Sequence, residues 1–155
     1  MDVIKPRIRQ DSFSKRSGAT IVETALILPI LLFILIAAID FSLIVLNNNS
    51  LAEAARRLSR TASVRGENSE PEFSMWGPDT FNENASEEME ICEIVREAAV
   101  CISPEKINVQ VEWPDGSCRV NDRVCVSLQY SHQPFLSFTG KSFLLQVSSD
   151  VRIRH

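Results

Sequence analysis

Every side chain from Ala25 to Ile39 is apolar, and this run follows the basic segment Lys5 to Arg16 and the junction Ser17-Gly18-Ala19-Thr20-Ile21-Val22-Glu23. Carried on through Asp40 to Val45, it reaches 21 residues from Ala25. At about 1.5 Å per helical residue, that length crosses a hydrocarbon core of about 30 Å. No other stretch of the chain is long and apolar enough to do so. The chain therefore starts with one membrane helix that has a carboxylate, Glu23, just inside one end.

The sign of the flanking charge sets the direction of insertion. Lys5, Arg7, Arg9, Lys15 and Arg16 precede the helix against Asp2 and Asp11, and a basic flank stays in the cytosol. Residues 47–155 hold 11 Lys and Arg against 16 Asp and Glu, a mildly acidic domain expected on the far side. A secretory signal peptide begins in the same way, but its apolar part runs only about 7 to 15 residues and ends in a small-x-small site. Here the apolar character persists with only Asp40 intervening, so a cut is expected before the helix rather than after it.

Beyond Val45, Asn47-Asn48-Asn49-Ser50 has the look of a turn. Leu51, Ala54, Ala55, Leu58 and Ala62 nevertheless recur at steps of three and four, the stripe of an amphipathic helix. The pattern predicts one helix from Ala19 to Val64, with Arg56, Arg57, Arg60 and Arg65 off the stripe and Gly66 and Pro71 ending it. Residues 66–85 have the composition of a surface loop, although Phe73, Met75, Trp76 and Phe81 are expected to pack back on the core. A second helix is expected from Asn84 or Ser86, with Glu87, Glu88 and Glu90 in its first turn and Met89, Cys92, Val95 and Ala99 as its apolar stripe.

From Ile107 the period changes to two. Ile107, Val109, Val111 and Trp113 form one alternating strand; Val124, Val126, Leu128 and Tyr130 a second; Leu145, Val147, Ser149, Val151 and Ile153 a third. The predicted class is α+β: a long N-terminal transmembrane helix extending into a small ectodomain with a second helix and a three-stranded antiparallel sheet. The expected divisions are a basic leader at 1–18, the membrane helix at 19–46, its extension at 47–65 and the α+β domain at 66–155.

All four cysteines, Cys92, Cys101, Cys118 and Cys125, lie in the exported part, where an oxidising compartment favours disulfides over free thiols. Three pairings are open. The favoured ones are Cys92 with Cys101 and Cys118 with Cys125, each closing a short loop. A zinc site is the competing use of four cysteines, but no C-x-x-C pair is present.

Gly18, Glu23, the step Ala25-Leu26-Ile27-Leu28-Pro29, Leu31-Leu32 and Asp40-Phe41 together resemble the amino-terminal signature of TadE-like proteins, minor pilins or pseudopilins of the tight adherence (Flp, type IVc) pilus system. The signature covers about residues 17–46. The resemblance implies that a membrane-embedded prepilin peptidase cuts between Gly18 and Ala19, and that Glu23 then meets the free amine of a neighbouring subunit. It also implies pilin and pseudopilin subunits and an inner-membrane assembly platform as partners, with the C-terminal domain in the periplasm. Two departures, Thr24 where many members have an aromatic and Ser42 where a glycine is usual, leave the subclass open among TadE, TadF and TadG-like components.

The chemistry of these residues agrees with what the resemblance implies. Glycine leaves an extended backbone unobstructed in a protease cleft. A carboxylate in a membrane helix costs up to about 3 kcal/mol, so Glu23 either has a partner or an interface, or lies close enough to the cytosolic headgroups to be solvated; position alone does not choose, and Gly18 and Pro29 beside it favour the first. Asp40 is expected to reach water at the outer interface. Pro29 removes an amide hydrogen and is expected to bend the helix near Ala25.

Other classes find little support. The histidines are His132, expected at the surface near a strand end, and His155, and no G-x-S-x-G or phosphate-binding glycine loop occurs, so no enzyme is expected. Asp115 and Asp122 lack the spacing of a calcium loop and read as turn formers. The exported part is acidic, which opposes nucleic-acid binding. No cofactor is expected. The partners are the lipid bilayer, the peptidase and other subunits. An unprocessed single-pass protein with a partner-binding or ligand-sensing periplasmic domain is the alternative.

Overall fold

The computed structural model describes residues 12–69, 74–135 and 142–154, the first six of these by backbone alone. Phe73, Pro71, His155 and the leader residues before Ser12 lie outside the described residues. The chain divides into two compact units, one up to Ile39 and one from Asp40 onward.

One helix, α1 (Ser12–Ser63), runs through both units for 52 residues. It passes Pro29 without interruption, and the asparagine cluster does not break it either. Asn47 is buried, while Asn48 and Asn49 face outward. Leu51, Ala54, Ala55, Leu58 and Ala62 are all buried, so the predicted stripe is the face that meets the domain core.

The second unit is built on an antiparallel sheet in the order β1-β2-β3-β4, formed by β1 (Phe81–Asn84), β2 (Ile107–Glu112), β3 (Arg123–His132) and β4 (Phe143–Arg152). β2 and β3 bury alternate residues, Ile107, Val109 and Val111 on one and Val124, Val126, Leu128 and Tyr130 on the other. The register places Val111 opposite Val126 and Leu128 opposite Val147, which keeps the apolar side chains on one face. The stripe of α1 and the buried Val95 and Ala99 share that core. The alanines of α1 present little side chain, a suitable shape for a helix lying close to valine-rich strands. Ser59 and Ser149 close the seam with a hydroxyl hydrogen bond of 3.0 Å.

The sheet therefore has four strands where the sequence predicts three. The extra one, β1, reads Phe-Asn-Glu-Asn, has no β-branched residue, and pairs by register with Asn108 to Val111 of β2. At a sheet edge backbone pairing suffices, so side-chain propensity gives no signal. The second helix, α2 (Glu90–Ala98), also starts later than predicted. Asn84 instead accepts the amide of Ser86 on its side chain, at 3.0 Å, and donates to the Glu105 carbonyl at 2.8 Å, which makes it a turn residue. Met89 precedes α2 and is exposed, whereas Cys92, Val95 and Ala99 are buried as expected. Of the apolar residues in the preceding segment, Trp76 enters the core and Phe81 is half-buried in β1, but Met75 stays exposed.

Two residues expected at the surface are inside. Arg65, just past the end of α1, is buried and grips both carboxylate oxygens of Glu90. Its guanidinium also lies 4.6 Å from the ring centre of Trp76 and reaches the Ser74 hydroxyl. The exit of α1, the start of α2 and the intervening chain are thus held by one side chain, a job that the planar, five-donor guanidinium suits. His132 is only 5% exposed at the end of β3. Neither of its ring nitrogens has a hydrogen-bond partner among the described residues.

Gly77 holds a φ of +89°, and a Cβ there would come within 2.5 Å of the Trp113 ring and 2.7 Å of the Cys118 sulfur. Both the backbone conformation and the space exclude a side chain. Gly77→Ala is expected to destabilise the full chain by at least about 1–2 kcal/mol, the cost of the left-handed conformation before any clash is counted, measured by denaturant unfolding in detergent.

Candidate functional site

In the first unit the described residues from Gly18 to Ile39 are exposed, apart from the half-buried Ile36. The exposed side chains include Ile21, Val22, Leu26, Leu31, Phe33, Ile34 and Leu35. An apolar surface this long and continuous is not a water-facing one. Gly18–Ser63 is, among the described residues, the one helical stretch with the length and composition to cross a membrane.

Glu23 lies within this surface. It is exposed and makes no hydrogen bond or ion pair with any described residue. Near it, Thr24 returns its hydroxyl to the Thr20 carbonyl at 2.8 Å, satisfying a polar side chain within the helix. Thr20, Ile21, Thr24, Ala25 and Leu28 line a shallow hollow on one side of the helix. Pro29 leaves the carbonyl of Ala25 without its helical donor. Gly18 and Ala19 are exposed and already helical, and a Cβ on Gly18 would meet nothing within 4 Å.

Asp40 opens the second unit and departs from expectation. It is buried, and one of its carboxylate oxygens, Oδ1, accepts the backbone amide of Phe135 at 3.1 Å. The acid that seemed placed to reach water instead fixes the segment after β3 to the helix. The two residues are 95 positions apart, which is why no local pattern could reveal the contact.

No bond is seen between any of the four cysteines, so neither the Cys92–Cys101 nor the Cys118–Cys125 pair is seen in the structure. The environments explain the difference. Cys92 is buried in α2 with its sulfur toward the Asn84 carbonyl at 3.4 Å, while Cys101 is exposed beyond the helix end. Cys118 donates to the Trp76 carbonyl at 3.2 Å, and Cys125, on β3, is opposite Asp150 in the register. Desolvation raises the pKa of Cys92, Cys118 and Cys125, and at Cys125 the hydrogen bond to Asp150 adds to it.

Asp115 and Asp122 hold turns. Asp115 accepts the backbone and guanidinium of Arg123, which holds its carboxyl below the ordinary range, while Asp122 accepts the amide of Arg119 at 2.9 Å and the hydroxyl of Ser117. Among the described residues no group of three or more His, Cys, Asp or Glu side chains is arranged to hold a metal ion.

Residues 18–60 match the family model described as TadE-like protein. This region is TadE-like. The match starts at Gly18 and ends inside α1, so it takes in the junction, Glu23, Pro29 and most of the packed stripe, and leaves the sheet outside. The match lies on the apolar helix, the one stretch among the described residues with the length and composition to cross a membrane. Comparison with curated proteins and with solved structures returns no match.

The thiols of this chain give a direct check on its fold. Cys101 is expected to be alkylated first in the native protein and Cys92 and Cys118 last, with all four accessible after unfolding without reductant, as read by mass spectrometry. Because the folded state holds the Cys92 and Cys118 protons more tightly than the unfolded chain, their contribution to stability is complete below the pKa of the unfolded thiol. It is lost as pH rises through the folded value, so the unfolding midpoint should fall on the alkaline side.

Proposed function

We propose that this protein is a minor pilin or pseudopilin-like subunit in the assembly of a tight adherence pilus, cut between Gly18 and Ala19 by a prepilin peptidase. The observation that carries the reading is Glu23: a carboxylate with no partner among the described residues, on an exposed apolar helix, inside a family match that begins at the residue before the cut. A charge in that setting is costly until it finds a counter-charge. Scission would supply one, since the new α-amine of Ala19 lies about one helical turn from Glu23 and is positioned to meet the glutamate of an adjoining subunit. The flat side of the helix around Thr20, Thr24 and Ala25 would admit a second helix at close range.

Topology follows from the same segment. Ala19 to Ile39 is 21 residues, about 30 Å of helix, which matches a hydrocarbon core and places Asp40 at its outer face. The span therefore ends nearer Ile39 than Leu46. The basic leader is cytosolic and the domain from Asp40 is periplasmic, on an inner-membrane anchor. Partners are the peptidase, pilin and pseudopilin subunits and the assembly platform. The protein's work is helix packing and charge neutralisation, with no covalent step of its own. Gly18 supports processing because its weak helix propensity lets the junction unwind into a cleft at little cost, about 1 kcal/mol relative to alanine.

The mature protein isolated from membranes should begin at Ala19 by mass spectrometry; a chain beginning at Met1 would instead support an unprocessed single-pass receptor or binding protein. Gly18→Val should block the cut. Glu23→Leu should leave the cut and the membrane level intact yet abolish surface fibres, as scored by electron microscopy and adhesion.

A further inference from the structure

The β3–β4 hairpin breaks its own pattern at one end. From Leu145 to Arg152 the strand alternates, with Leu145, Val147, Ser149 and Val151 half-buried and Gln146, Ser148, Asp150 and Arg152 exposed. At Phe143 and Leu144 this stops. Phe143 is 56% exposed and Leu144 65%, although neighbouring residues in a strand point to opposite faces. On the other arm Phe135 is 75% exposed. The register pairs His132 with Phe143, so these three residues share the same end of the hairpin. Between Arg123 and Asp150 the sequence holds a single formally charged residue, Lys141.

The place of this apolar end is fixed by the Asp40 contact. Phe135 donates its amide to Asp40, and Asp40 follows directly on the apolar segment that ends at Ile39. Nor does the apolar surface of α1 stop there. Phe41, Val45 and Leu46 remain exposed on the outside of the helix, while Asp40 and Asn47 turn inward. That continuation is about 10 Å long, the depth to which apolar groups enter the headgroup and acyl boundary. Phe135 is therefore level with apolar helix surface, not beyond it.

We infer that the end of the β3–β4 hairpin, through Phe135, Phe143 and Leu144, enters the outer leaflet and forms a second membrane contact of the domain. The inference rests on the membrane reading of α1. A lipid surface fits better than a protein partner because Phe143 and Leu144 expose apolar side chains on both faces of the strand. A docked protein would cover one face; fluid acyl chains surround both.

The test uses the full chain in nanodiscs of phosphatidylethanolamine and phosphatidylglycerol, with acyl chains either plain or brominated, and tryptophan variants read against the buried Trp76 and Trp113. Phe135→Trp and Leu144→Trp should each lose most of their added emission in brominated lipid, and Val100→Trp, exposed on another part of the domain, should lose none. Leu31→Trp in the span separates the two readings. If it is unquenched, the membrane reading itself fails and takes this inference with it. If it is quenched while the hairpin tryptophans are not, only the inference falls, whether aqueous iodide reaches them, as on a free surface, or does not, as under a second copy or another protein. Quenching at Val100→Trp would also overturn it, because the contact would then not be specific to the hairpin. The two hairpin variants are independent, so either one with wild-type melting decides the result.

Discussion

A single helix in two surroundings is the constraint from which the other features follow. Apart from the Ala25 carbonyl opposite Pro29, α1 keeps its backbone hydrogen bonds internal, which suits both lipid and a packed core, and only its side chains change partner along the way. From Ala25 to Ile39 they are apolar and exposed nearly all round. From Asp40 the inward positions, Asp40, Asn47, Leu51, Ala54, Ala55, Leu58, Ser59 and Ala62, are buried against the rest of the domain. Since no break in the helix marks the transition, the domain has to be fastened to the helix by side-chain chemistry. Asp40 does this at one end of the packed segment, and Arg65 does so beyond the other.

These two fastenings show how buried charge can be accommodated in a small domain. Each ion is met by groups that match it: a backbone amide for the carboxylate, a carboxylate and an aromatic face for the guanidinium. An unmatched ion in either place would be destabilising by several kcal/mol. His132 differs, being buried without a hydrogen-bond partner among the described residues.

Periodicity made the long elements readable. The stripe Leu51 to Ala62 and the alternation in β2, β3 and β4 are repeated patterns, and burial follows them closely. What could not be read depended on single long-range contacts. β1 exists because β2 offers it an edge, α2 begins after a turn that Asn84 stabilises, and Arg65 and Asp40 are buried because of residues 25 and 95 positions away. The cysteines show another limit. Compartment chemistry argued for disulfides, yet sulfur placement depends on the fold, and here the thiols are spread between a helix, a loop and a strand. Gly18 and Glu23 were picked out by a local pattern, a residue without a side chain before an apolar run and a charge close to its start, and the family match includes both.

The remaining exposed edge bears on how such a subunit could associate. β4 is an outer strand of ten residues, long enough to template pairing with another chain. Its outward positions from Gln146 to Arg152 are polar or charged, and the opposite edge, β1, is four residues long with Asn82, Glu83 and Asn84. Strand addition at either edge would have to desolvate these groups, which natural sheets use to discourage it. The apolar surface of α1 faces no such obstacle. Association through the helix, with the sheet kept as a bystander, is therefore the route that the charge distribution leaves open, and it places recognition in the segment that contains Glu23.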